Sequence, residues 1–243
     1  PHLINHLINP HQRPARLGGS TLKRRLILYY NLTTLEPDPN GPHGDALILA
    51  LSLSVSVSLS LSLALAAEPL DVVFVGNSYT YAFAIPEQLE AFAAARGGPV
   101  IRTLTHAHPG ISLARHLTDG HLPDALHARD PGEDVDVVVL QEQSTLGGPM
   151  GADGSLVAPD AYHQSVRQLV PLAEKLGAEV VLYETWAKRA FPQQATPLHK
   201  ASIGIARAVG AEVSPVGQAF EIARNGHPEI ELFEADGSHP SAA

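Results

Sequence analysis

The sequence predicts an α/β protein of three layers, α/β/α, built on a mainly parallel five-stranded sheet within residues 68–243. Three observations carry that expectation. Short β-branched runs such as Val72-Val73-Phe74-Val75 and Val137-Val138-Val139-Leu140 are apolar throughout rather than alternating, as strands covered on both faces must be. Between such runs lie amphipathic segments of helical length, several of them closed by glycine. The region also has the ordinary size of a domain with one hydrophobic core.

Each element follows in order. Residues 70–75 read as a buried strand ending at Gly76. A helix is expected over 86–96, because Pro86 suits a first turn and Gly97-Gly98 follow its end. Residues 100–104 form a second strand and 112–118 a short helix. A third strand covers 136–140, and a helix over 161–176 is closed by Gly177. Residues 179–183 form the fourth strand, 197–209 a helix closed by Gly210, and 211–213 a fifth strand. In open sheets of this kind ligands bind beyond the carboxyl ends of the strands, which directs attention to the loops that follow them.

The residues upstream differ in character. Residues 1–67 carry Arg13, Arg16, Lys23, Arg24 and Arg25 against Glu36, Asp38 and Asp45, whereas the remainder is strongly acidic and brings the net charge to -9. That balance argues against a nucleic-acid binder, which presents a basic surface to the phosphates. The absence of cysteine excludes a disulfide scaffold, a thiolate zinc site and a cysteine nucleophile. Residues 1–45, which begin at Pro1 and contain no Met, are assigned no fold and are expected to be a disordered or non-native extension. Residues 46–67 are uncharged and alternate apolar residues with Ser, too long a run for one strand. Basic residues precede the run and Ala64-Leu65-Ala66 offers a small-x-small cleavage site, so it reads as a signal peptide; a membrane anchor and a low-complexity artefact are the alternatives. Secretion or residence in the cell envelope is the corresponding expectation.

Two loops hold residues suited to nucleophilic catalysis. Gly76-Asn77-Ser78-Tyr79-Thr80 follows the first strand, so Ser78 stands at a tight strand-to-helix turn, either exposed as a nucleophile or serving as a helix N-cap. Thr80 replaces the second glycine of the G-x-S-x-G elbow. Near the end of the chain, Asp236-Gly237-Ser238-His239 sets a carboxylate three residues before an imidazole. A serine hydroxyl needs a base to take its proton, and the base needs a partner that fixes its tautomer, so this spacing offers both. A solvated surface loop is the other reading.

On these residues the sequence resembles the SGNH/GDSL hydrolase superfamily over most of residues 70–243. Gly76-Asn77-Ser78 stands for the Gly-Asp-Ser-like block, Gly110 for the glycine after the second strand, and Asp236 and His239 for the terminal Asp-x-x-His. The resemblance implies the flavodoxin-like fold of that family, with Ser78 as nucleophile, His239 as base and Asp236 as its partner. It also implies an oxyanion hole from the Ser78 and Gly110 N–H groups and a side-chain amide. Here the chain departs from the family: Gln141-Glu142-Gln143-Ser144 replaces Gly-x-Asn-Asp, as in a Gln-containing subgroup, and either Gln141 or Gln143 could supply the amide. Family members usually continue beyond the His loop into a further helix, so a domain stopping at Ala243 is expected to be cut short at its C-terminus.

The expected function is hydrolysis of O-acetyl or other short acyl esters, possibly on carbohydrate, with a small-molecule or glycan ester as the partner and no cofactor. A noncatalytic envelope or carbohydrate-binding protein and a lipase or thioesterase are the alternatives. Asn77 and Trp186 are expected to contact substrate, although an aromatic at a strand end equally often caps the core. His106, His108, His116, His121 and His127 cluster in the sequence, but without a carboxylate constellation they read as loop and surface residues rather than a metal site.

Overall fold

A computed structural model describes residues 69–120, 135–156 and 159–241. The expected extension at 1–45, the run at 46–67, and His121 and His127 lie outside the described residues. Five parallel strands form one sheet in the order β2-β1-β3-β4-β5: β1 (Leu70–Gly76), β2 (Ile101–Ala107), β3 (Val137–Gln141), β4 (Glu179–Tyr183) and β5 (Glu212–Ser214). This is a doubly wound arrangement whose chain reverses direction of growth between β1 and β3. Both strands are buried along their full length, which explains the apolar runs Val72–Val75 and Val137–Leu140 at their centres; the polar residues Asp71 and Gln141 stand at their ends. The edge strand β2 mixes buried and exposed positions.

The helices are α1 (Ser78–Tyr81), α2 (Ile85–Ala95), α3 (Leu113–Thr118), α4 (Pro159–Glu174), α5 (Ala195–Val209) and α6 (Val216–Gly226). All nine predicted helices and strands coincide with observed elements to within a few residues, and 179–183 coincides to the residue. Two helices were not foreseen. Helix α1 is a single turn, too short to show periodicity, and α6 follows the fifth strand without a polar N-cap, since Pro215 occupies that position.

Helix α4 turns Tyr162, Ser165, Val166, Leu169, Val170 and Ala173 inward, a helical spacing that lays one stripe on the sheet. Helix α5 adds Leu198, Ala201, Ile205 and Ala206, and all of these pack around Val138, Leu140, Val180 and Leu182. Among the described residues no helix is long and apolar enough to cross a membrane.

Leu140 is fully buried in this cluster at the end of a central strand. Leu140→Ala should lower unfolding free energy by about 2–5 kcal/mol, while Ile222→Ala on the exposed side of α6 should stay within about 0.5 kcal/mol of the parent. Equilibrium urea unfolding measures both.

Candidate active site

At the carboxyl edge, between β1 and β3, the first loop is built around a buried carboxamide. Gln141 ends β3 and is 1% exposed. Its Oε1 accepts from the Asn77 backbone N–H at 2.9 Å and from Thr80 Oγ1 at 2.9 Å, while its Nε2 donates to the Glu142 carbonyl. Asn77 caps α1: its Oδ1 accepts from the Tyr79 N–H at 3.1 Å, and its Nδ2 donates to the Ile111 carbonyl at 3.0 Å. One residue therefore joins the loops after β1, β2 and β3. The opposite side is held by His116, fully buried, whose Nε2–H donates at 2.7 Å to the carbonyl of Gly76. Ser78, the first residue of α1, is presented at the tip of this turn.

The second loop brings the imidazole. Ser78 Oγ lies 2.9 Å from His239 Nε2, and His239 Nδ1 lies 2.5 Å from Asp236 Oδ2. A carboxylate only accepts, so Nδ1 carries the proton and Nε2 turns its lone pair toward the serine hydroxyl. Asp236 Oδ1 also accepts the backbone N–H groups of Ser238 at 2.8 Å and His239 at 2.9 Å. The His239 bond, with those two N–H donors, holds the Asp236 carboxyl at about 2, so it is ionised at neutral pH.

Aromatic side chains and one arginine fix this loop. Trp186 stacks between Tyr79 (4.6 Å, 16°) and Phe220 (4.2 Å, 6°), and its Nε1–H donates at 2.9 Å to the Ser238 carbonyl. The Tyr79 hydroxyl bonds to Ser238 Oγ, and burial raises its pKa above the usual tyrosine value. Its ring meets the His239 ring edge-on at 5.3 Å. From the other side Arg189 donates to the carbonyls of Phe233 at 2.9 Å and Glu234 at 3.2 Å and to Glu231 Oε1 at 2.6 Å. Its own backbone N–H reaches the Gly237 carbonyl at 2.9 Å.

Ser78, His239 and Asp236 are thus brought together from opposite ends of the domain. Gly110, with a φ of +61°, and Gln143 also meet, since Gln143 Nε2 donates to the Gly110 carbonyl at 3.4 Å. Gln141 is committed to the nucleophile turn, which leaves Gln143 as the half-exposed amide beside Gly110. Two expected substrate contacts need correction. Asn77 is 2% exposed with both amide atoms engaged inside the loops, and Trp186 is 1% exposed and supports the His loop from beneath. Of the histidines read as surface residues, His116 is instead interior. Among the described residues no group of three His, Cys, Asp or Glu side chains is arranged to hold a metal ion.

Sequence reasoning missed Tyr79, Glu142 and Arg189. Tyr79 had a signal in being a large aromatic next to the candidate nucleophile. Glu142 had one in being a charge at the end of an apolar strand. Arg189 had none, because its partners lie more than forty residues away.

Fold and site together define a class: a doubly wound α/β protein with Ser, His and Asp side chains hydrogen-bonded in series at the switch point of its sheet. Comparison with solved structures narrows this. A protein assigned as an SGNH hydrolase from Slackia heliotrinireducens is 30% identical, with a TM-score of 0.54, the match covering 72% of this chain and 91% of that one. The chain belongs to the SGNH hydrolase family. The esterase AlinE4 (14% identity, TM-score 0.52, 72% and 88% covered) and the acetyl xylan esterase AlAXEase (14%, 0.54, 71% and 92%) share the fold. No protein-family model matches the chain, and no curated protein does so.

Two predictions arise from this geometry. A Cβ on Gly76 would lie 2.6 Å from Gln141 Oε1 and would also collide with Thr80 Oγ1, so Gly76→Ala should destabilise by about 1–3 kcal/mol. Thermal unfolding measures the loss. Burial raises the Glu142 carboxyl to about 7 despite two backbone N–H donors. The unfolded chain releases this proton near its ordinary value while the folded protein holds it until about pH 7, so the group opposes folding increasingly across that interval and constantly above it. Glu142→Gln should therefore gain stability relative to the parent by on the order of 3 kcal/mol between pH 4.5 and pH 8. Unfolding curves at the two pH values test the sign.

Proposed function

We propose that this protein is a serine esterase that hydrolyses short acyl esters, with O-acetyl groups on carbohydrate as the substrate class. The observation that supports the reading is the continuous hydrogen-bonded chain Ser78–His239–Asp236, at 2.9 and 2.5 Å, beside the Gly110 loop and Gln143. His239 Nε2 takes the hydroxyl proton as Ser78 Oγ attacks the ester carbonyl, and the ionised Asp236 stabilises the resulting imidazolium. The tetrahedral oxyanion rests on the N–H groups of Ser78 and Gly110 and on the Gln143 amide. Collapse expels the alcohol with the proton from His239 and leaves an acyl-Ser78 ester. Water, deprotonated by His239, then attacks that ester, and the acid departs as Ser78 regains its proton.

The acyl and carbohydrate part of the proposal draws support from the acetyl xylan esterase that shares the fold and from the sequence of residues 46–67, read as an export signal. Action outside the cytoplasm is part of the same proposal.

Ser78→Ala in the full chain should lower kcat for p-nitrophenyl acetate by up to about a million-fold, and a fluorophosphonate should inactivate the parent stoichiometrically. Chelator should leave the parent rate unchanged. Parent and variant hydrolysing at equal rates would exclude the serine mechanism, and release of acetate from acetylated xylan, followed by chromatography, tests the substrate class.

A further inference from the structure

Glu142 stands between the candidate amide and glycine elements of the site, and its carboxyl bonds to the backbone of those loops rather than to Ser78, His239 or Asp236. It is 3% exposed. Its Oε1 accepts from the Gln143 backbone N–H at 2.6 Å and from the Leu113 N–H at 3.2 Å, and its Oε2 accepts from the same Leu113 N–H at 3.3 Å. Leu113 is the first residue of α3 and directly continues the loop that carries Gly110. Gln143 in turn reaches the Gly110 carbonyl. A closed circuit results: Gly110 loop, Leu113 N–H, Glu142 carboxyl, Gln143 backbone, Gln143 amide, Gly110 carbonyl. Gly147, in the left-handed region at φ +74°, closes over the carboxyl, where a Cβ would lie 3.2 Å from Oε2.

A carboxyl is an expensive group to bury for the sake of packing, since an apolar side chain of equal length would fill the space without desolvation cost. What it supplies that an apolar residue cannot is two acceptors, 2.6–3.3 Å from donors on two different loops. We propose that Glu142 is a positioning residue that sets the separation and orientation of the Gly110 N–H and the Gln143 amide, so that both aim at one oxyanion. The inference rests on the serine esterase reading and extends it to a residue outside the relay. It accounts for the Gln-Glu-Gln block as a unit: Gln141 holds the nucleophile turn, Glu142 joins the two loops, and Gln143 faces the oxyanion.

The test uses the full chain, p-nitrophenyl acetate and six variants. Glu142→Met removes both acceptors at similar length, Glu142→Asp withdraws them by one methylene, and Glu142→Gln keeps one carbonyl oxygen. Loss of one oxyanion donor costs about a hundredfold or more in kcat, and misplacement should cost somewhat less. Glu142→Met and Glu142→Asp are therefore expected to lower kcat about 10- to 100-fold with KM within about threefold, and Glu142→Gln to restore kcat to within several-fold of the parent. Gln143→Ala and the Glu142→Asp/Gln143→Ala pair complete a cycle: the double variant should be slower than the worse single one by clearly less than the product of the two effects, because the Gln143 donor is common to both changes while the Gly110 N–H is reached only through Glu142. A purely structural Glu142 gives multiplied effects in that cycle, a result that overturns the inference, as does a folded Glu142→Asp protein with parental kcat. Should Glu142→Met fail to fold, the Asp, Gln and double variants decide the matter. Ser78→Ala separates the two levels: a variant with residual parental turnover sinks the esterase reading and this inference together, whereas an inactive Ser78→Ala beside a fully active Glu142→Asp sinks the inference alone.

Discussion

The site depends first on the need to satisfy the buried carboxamide of Gln141. A side-chain carbonyl enclosed at the end of a central strand must find donors or forfeit on the order of 1–3 kcal/mol. The donors it finds are the Asn77 N–H and the Thr80 hydroxyl, one on each side of Ser78. The turn that follows β1 is thereby drawn against β3, and Gly76 is required because nothing larger than hydrogen fits between the strand and the carboxamide. Asn77 and His116 then fasten the same turn to the neighbouring loops, so the serine sits on a tip whose position is overdetermined.

The imidazole is held by a different kind of force. Its loop has no regular secondary structure beyond an isolated bridge between Phe233 and Pro240. Order comes instead from packing and from donors outside it: the stacked rings of Tyr79, Trp186 and Phe220, the indole N–H on the Ser238 carbonyl, and the Arg189 fork on Phe233 and Glu234. Tyr79 takes part in both halves, since its backbone belongs to the serine turn and its hydroxyl reaches the histidine loop. Tyr79 thus ties the serine turn directly to the histidine loop, beside the anchors that hold each half.

Much of this was legible in the sequence, and what was not has identifiable physical causes. Unbroken apolar runs gave away β1, β3 and β4, because burial on both faces leaves no room for polar alternation. That Ser78, Asp236 and His239 would lie together was legible because an acyl-transfer reaction demands those groups at a strand end and on a turn. The roles of Asn77 and Trp186 were not, since local sequence does not tell whether a side chain at a strand's carboxyl end points outward to a cleft or inward to hold its walls. For Asn77 the backbone of Ile111, more than thirty residues away, settles that direction. His116 looked like one of a polar cluster, yet its place on the inner face of α3 takes it to the interior. Gln141 and Gln143 differ by two positions, but the first ends a strand and the second lies beyond it, a boundary that periodicity resolves only to within a residue or two.

The Ser78 to His239 bond closes a loop of 161 residues. Contacts of such long range are entropically costly to close, and the sheet is what brings their two ends near each other. The polypeptide after α6 adds no strand to the sheet and is tied to the rest of the domain by side-chain contacts and the Arg189 N–H to Gly237 carbonyl bond, so it is expected to open at lower cost than the strand ladder. On the proposed serine mechanism, disarming this enzyme does not require melting its sheet: a subglobal opening confined to the last turn-rich stretch would carry the imidazole away while leaving the hydrophobic interior intact, so functional lifetime and global stability would be separately adjustable.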